Sequence, residues 1–173
     1  SDLVADFSAK KNPNGPWSYG WAPANKVGGF MLFDTHSQSL EGSPVFSNKG
    51  NPPSLWRNLA KQPDCGVAPG EVSLHGGPNN EMTIVRWTSP LTSRVKVTGA
   101  FGQGHSGSVD AIVAKTASGR TAVLFSKMNT LTTEPFSFVV EVKAGDKLDF
   151  IVGTAGYYAA DNTPLTVRIV LAR

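Results

Sequence analysis

Three aromatic side chains at alternate positions, Trp17, Tyr19 and Trp21, are the sharpest chemical feature of this sequence. Residues spaced by two share one face of an extended strand, so the trio forms a flat row. Such a row can stack on the apolar face of a sugar ring, where burial and polarised C–H groups favour aromatic contact. The competing reading turns the row inward to close one end of a core, and it suits Trp21 better than Trp17. Trp56, followed by Arg57 and Asn58, supplies either a second ring with hydrogen-bonding neighbours or a plug under a long loop. Tyr157 and Tyr158 stand side by side in a glycine-bounded loop, Gly153 to Pro164, with Asp161 and Asn162 after them. Trp17, Tyr19, Trp56, Tyr157 and Tyr158 are therefore the candidate stacking residues. Arg57, Asn58 and Asn162 are the candidates to hydrogen-bond hydroxyls. For the tyrosines, plain exposure at a loop tip is the alternative.

Hard oxygen ligands lie near both ends of the chain: Asp2, Asp6, Asn12, Asn14, Asp161 and Asn162. If the ends meet, Asp6 and Asp161 can share a structural Ca2+ and tie the last strand to the first. Otherwise both are ordinary loop and cap residues. His36, His75 and His105 have no zinc-ligand spacing, and His75 suits a role satisfying loop carbonyls. No nucleophile elbow is present, since Gly104-His105-Ser106-Gly107 lacks the strand-turn-helix setting. Cys65 stands alone and has no recognisable catalytic neighbour. Asp34, Glu41, Glu71, Glu81, Asp110 and Asp149 are among thirteen acidic residues, but nothing in the sequence says which two converge as a glycosidase pair would. Catalysis is thus unsupported, and no catalytic residue is assigned.

The elements that must position these groups are strands. In Phe136, Phe138, Val140, Val142 and again in Leu165, Val167, Ile169, Leu171, apolar residues fall on every second position. Strands are expected at Leu3–Phe7, Ser18–Ala22, Gly29–Asp34, Val72–His75, Met82–Thr88 and Arg94–Phe101. Others are expected at Val109–Lys115, Thr121–Lys127, Glu134–Val142, Lys147–Val152 and Leu165–Leu171. From Met82 to Leu171 they read as a meander of sequential pairs, whereas residues 1–80 read as longer aromatic-rich connections. Ser118-Gly119 and Ala144-Gly145-Asp146 carry the turn chemistry between strands. The one helical candidate is a turn at Ser54–Ala60. Within the strand at Met82–Thr88, Trp87 and Val85 face the core, and Ile84 and Arg86 face away. Asp149 alternates away from Leu148 and Phe150, toward an outer face or sheet edge.

At 173 residues, the length suits one domain, 1–173, with a substantial core. Charged residues are only 17% and the net charge is +3, with no basic stripe beyond Lys10-Lys11, which argues against nucleic acid. Acidic glycans remain open as ligands, because a few placed cations suffice for them. No segment is long and apolar enough to span a bilayer. The chain begins at Ser1, as a processed or trimmed chain would, so a signal peptide or a neighbouring domain would lie outside it.

Several stretches together resemble secreted bacterial β-jelly-roll domains of the carbohydrate-binding-module type. They are Val67-Ala68-Pro69-Gly70-Glu71-Val72-Ser73-Leu74-His75, Val85-Arg86-Trp87-Thr88-Ser89-Pro90, Val97-Thr98-Gly99-Ala100-Phe101 and Val142-Lys143-Ala144-Gly145-Asp146-Lys147-Leu148-Asp149-Phe150. Asp6-Phe7-Ser8 followed by Tyr19-Gly20-Trp21 fits the same pattern. The resemblance implies an all-β, two-sheet antiparallel sandwich of jelly-roll type. It also implies a secreted or cell-surface location and non-catalytic binding of a polysaccharide or oligosaccharide, with linked catalytic domains elsewhere. Rivals are a glycoside hydrolase or polysaccharide lyase on the same fold, and a structural or adhesive surface domain. One departure is Gly76, where such domains often place Pro after the histidine, a change expected to loosen that loop.

Overall fold

The computed structural model describes residues 1–24, 26–39 and 42–172. Its strands are β1 (Trp17–Ala22), β2 (Met31–Leu32), β3 (Thr35–Gln38), β4 (Pro44–Ser47), β5 (Ser54–Arg57), β6 (Val72–His75) and β7 (Met82–Thr88). They continue with β8 (Ser93–Phe101), β9 (Val109–Ala117), β10 (Arg120–Thr130), β11 (Glu134–Val142), β12 (Lys147–Gly153) and β13 (Thr163–Leu171). Two antiparallel sheets result, ordered β10-β9-β12-β7-β1-β2 and β11-β8-β13-β6-β5-β4-β3. This is a jelly-roll β-sandwich, the all-β, two-sheet architecture expected from the sequence.

The pairing is nested. β9 pairs with β10, β8 with β11, β7 with β12 and β6 with β13. One long ribbon, turned at Ser118 (φ +48°) and Gly119 (φ +74°), is therefore rolled so that successive strand pairs alternate between sheets. The expected meander is corrected here. Between Met82 and Leu171 only β9 and β10 are sequential neighbours in a sheet. Rolling lets each pair bury its apolar face against the opposite sheet, which a flat meander could not do.

Between the sheets, Val85, Trp87, Leu148, Phe150 and Val113 meet Val97, Phe101, Leu74, Leu165 and Val167 in one core. A second cluster lies on the outer face of the six-stranded sheet. There Ile84, Ile151 and Ile112 stand in register, joined by Ala22, Met82 and Ala114 and packed by Val27 and Phe30. Asp149 and Arg86 are cross-strand partners on that same face, and Asp149 is fully buried. The expected outer-face position is correct, but the face is covered rather than wet.

Three local expectations change. Leu3–Phe7 is not a strand: Leu3–Asp6 is a helical turn capped by Asp2, whose Oδ1 accepts from Val4 N and Ala5 N at 3.1 Å each. Ser54–Ala60 is not helical, because β5 is hydrogen-bonded between β4 and β6, and that ladder overrides local preference. Gly29–Asp34 contracts to β2, while β3 adds an edge strand and β4 its inner neighbour, both carrying little sequence pattern.

Candidate functional site

Trp17 and Tyr19 belong to the core. Both have 0% exposure, and their row faces inward, with Trp17 in register with Trp87. Trp17 donates its indole N–H to Asp6 Oδ2 at 3.1 Å, and Tyr19 stacks on Phe7 with ring centroids 5.4 Å apart. Burial pushes the Tyr19 phenol up to about 12. Two-residue spacing guarantees a shared face without saying which face, and apolar burial selects the inner one. Neither ring can stack on a ligand there.

Asn58 is likewise consumed by the fold. Its Nδ2 donates to Gln62 O (3.0 Å) and Val67 O (2.8 Å), and its Oδ1 accepts from Ala60 N (2.8 Å). Such a buried amide organises the loop after β5 and is closed to hydroxyls. Arg57 is half-buried, donating from Nε to Gly70 O at 3.0 Å with its guanidinium 5.8 Å from the Phe7 ring centre. Glu41 lies outside the described residues. Cys65 is exposed, and its thiol is held above the ordinary value chiefly by a hydrogen bond with Asp64, which disfavours the thiolate.

The remaining candidates converge at one end of the sandwich. Tyr157 is 73% and Tyr158 36% exposed, with ring centroids 6.2 Å apart. The edge of Tyr158 meets His75 at 6.3 Å. His75 Nδ1 lies 2.7 Å from the Gly76 carbonyl, so Nδ1 carries the hydrogen and donates. Burial lowers the His75 pKa below the ordinary histidine value, with the nearby His105 adding to it and the Gly76 bond opposing it. Trp56, 9% exposed, donates from Nε1 to Asn162 Oδ1 at 2.9 Å. Of the eight candidate ligand residues, four are thus linked to one loop: Trp56, Tyr157, Tyr158 and Asn162.

That loop, 154–162, is tied down on both sides. Thr154 Oγ1 donates to Asn80 Oδ1 (2.8 Å), Gly107 N to Ala160 O (2.8 Å), and His105 N to Asn162 O (3.2 Å). Gly76 packs so closely that a Cβ there would lie 2.5 Å from the Thr154 methyl. Gly76 therefore packs directly against Thr154, and a side chain there would displace that methyl. His75 ends β6 and satisfies the Gly76 carbonyl, in the role that the sequence suggests for it. Its place beside Tyr158 arises from the pairing of β6 with β13, which brings residues far apart in sequence together.

Asp6 and Asp161 do not meet. Asp6 Oδ2 accepts from Asp2 N at 2.9 Å and from Trp17 Nε1, and these bonds, led by that of Asp2, lower its pKa. The N-terminal residues pair with the far end of β13, where Asp2 bridges Arg168, while Asp161 precedes the start of that strand. Seven extended residues separate the two places, roughly 23 Å at strand rise. Asp161 itself has 0% exposure, and neither carboxylate oxygen has a hydrogen-bond partner. Burial, with the charge of Asp110 adding, pushes its pKa up to about 7. A separate cavity of about 420 Å3, lined by Arg94, Lys115, Lys143, Glu141 and Asp146, contains none of the aromatic candidates.

No family model and no curated protein matches the chain. Solved structures do, and most of the similar ones are carbohydrate-binding modules of β-sandwich fold. A family 35 carbohydrate-binding module from Clostridium thermocellum is 7% identical, with 90% of this chain and 92% of that one covered and a TM-score of 0.36. The N-terminal cellulose-binding domain of Cellulomonas fimi β-1,4-glucanase C is 10% identical over 92% and 96%, with a TM-score of 0.38. The enzymatically active domain of bacteriophage CBA120 tailspike protein 4 is 8% identical, covering 91% of this chain but 20% of that one, with a TM-score of 0.44. Among the described residues, no helix is long and apolar enough to cross a membrane.

Proposed function

We propose that this domain binds a polysaccharide or oligosaccharide without transforming it, through the loop 154–162. One observation carries the reading: Tyr157 and Tyr158 present adjacent exposed rings on a loop already fixed by hydrogen bonds to two neighbouring loops. Exposed aromatic surface held in place supplies stacking area without a large ordering cost on binding. Asn162 beside them offers an amide nitrogen for a hydroxyl, its oxygen being held by Trp56. The reading places the protein outside the cell or on its surface, where it would hold linked catalytic domains near their substrate. The low charged fraction of 17% is consistent with a surface solubilised by Ser, Thr, Asn and Gly.

Affinity electrophoresis and calorimetry across a panel of plant and microbial polysaccharides test it. A dissociation constant of roughly micromolar to millimolar is expected for at least one polymer. Tyr157→Ala should weaken that binding by about 3- to 10-fold, the scale of a lost aromatic contact. Silence across the panel with folded protein, or unchanged affinity in Tyr157→Ala and Tyr158→Ala, would overturn the reading.

A further inference from the structure

We propose that the ligand of loop 154–162 is an N-acetylated amino sugar, whose acetamido group enters a cavity between that loop and the outer face of the six-stranded sheet. The inference rests on the carbohydrate reading and adds the substrate class. The cavity, of about 280 Å3, stands at the small end of ligand sites, with room for one sugar unit rather than a chain. Thr154, Ala155 and Gly156 form one wall. They belong to a tight turn that Tyr157 N closes by donating to Thr154 O at 2.9 Å. The more exposed of the two tyrosines therefore follows directly from the cavity wall.

The other walls are apolar: Val27, Met82, Ile112 and Met128. Met82 and Ile112 belong to the outer-face cluster, Val27 packs against it, and Met128 is 61% exposed at the rim. Two polar side chains share this space. Asp110 stands opposite Gly153 in the register of β9 and β12. Its Oδ1 accepts from Asn129 N at 2.8 Å, while Oδ2 has no donor among the described residues. Asn80 Oδ1 accepts from Thr154 Oγ1 at 2.8 Å, which orients the amide and leaves Nδ2 to donate. A Cβ on Gly153 would lie 3.7 Å from both Asp110 Oδ2 and Met82 Cγ. The glycine thus leaves open the space where the acceptor and the apolar wall adjoin.

An acetamido group is the complement of these three features. Its N–H donates to Asp110 Oδ2, its carbonyl accepts from Asn80 Nδ2, and its methyl lies on the apolar wall. Other sugar substituents satisfy fewer of them. A hydroxyl brings no methyl, and an O-acetyl ester brings no hydrogen for the carboxylate. A free amine serves Asp110 but leaves the wall uncovered and Asn80 without an acceptor. The carboxylate of a uronic acid is repelled by Asp110.

Calorimetric titration of the 173-residue chain with matched oligomers of N-acetylglucosamine, glucosamine and glucose tests this. The acetylated oligomer should bind at least about 10-fold tighter than the other two, the scale of a hydrogen bond to a charged group with a buried methyl. In saturation-transfer NMR its acetyl methyl should give the largest response, because it rests against protein methyl groups. Asp110→Asn and Gly153→Ala should each remove that preference and leave the affinity for the glucose oligomer unchanged. Should Asp110→Asn not fold, Gly153→Ala decides, since its methyl fills the space in ordinary contact with its neighbours. Equal affinity for the acetylated and glucose oligomers, or tighter binding of glucosamine, would overturn the inference and spare the carbohydrate reading. So would a preference that both variants retain. Silence toward these oligomers and the whole polysaccharide panel would overturn both.

Discussion

The indole N–H of Trp56 reaches Oδ1 of Asn162 at 2.9 Å, across 106 positions of sequence. It ties β5, in the aromatic-rich half, to the loop that exposes both tyrosines. Trp56→Phe keeps an aromatic ring but removes the donor, leaving a half-buried amide oxygen without its bond. The expected loss is about 1 kcal/mol, or roughly 2–4 °C in melting temperature. Hydrogen exchange over residues 154–162 should rise in the same variant. Unchanged exchange there would mean that the loop is held by its other bonds alone.

Arg86 and Asp149 form a two-pronged pair, Nε to Oδ1 at 2.7 Å and Nη2 to Oδ2 at 2.8 Å, with the guanidinium 4.0 Å from the Phe30 ring centre. Asp149→Ala should cost about 3–5 kcal/mol, because it strands a covered cation. A double variant, Arg86→Met with Asp149→Leu, should recover most of that loss, since both charges leave together. Urea unfolding of the two variants checks this. Equal loss in both would show that packing, not the stranded charge, sets the cost.

Asp146 closes the turn before β12 by accepting from Lys143 N at 3.0 Å, and it pairs with Lys115 Nζ at 3.1 Å. The Lys143 bond first, then Lys115, hold its carboxyl below 3.8 against the opposing effect of burial. With the folded pKa depressed, its stabilisation is present above 3.8 and is lost as pH falls through the folded value. Asp146→Asn should therefore be less stable than wild type by about 1 kcal/mol near pH 7. That gap should shrink below about pH 3.8, where the wild-type group begins to protonate. Melting curves from pH 7 to pH 2.5 read the gap directly, and a pH-independent gap would contradict the charge argument.

The class of fold was legible in local patterning, because strand side chains alternate faces and the repeat is short. β6, β7 and β11 have the bounds that alternation predicts, and the turns at Ser118-Gly119 and Ala144-Gly145-Asp146 follow from residues tolerant of positive φ or suited to capping. The nested pairing was not legible, since the identity of a strand's neighbour depends on how the whole ribbon rolls. β4 became a strand because β5 offered it a ladder, and β3 because β4 in turn offered one, not because their residues alternate. Alternation placed Trp17 and Tyr19 on one face but could not orient that face, and the opposing sheet buried it. Likewise, no spacing links Gly107, Asp110 and Asp161. They meet because β12–β13 and β8–β9 end at the same edge of the sandwich, where two loops close on a carboxylate that neither supplies with a donor.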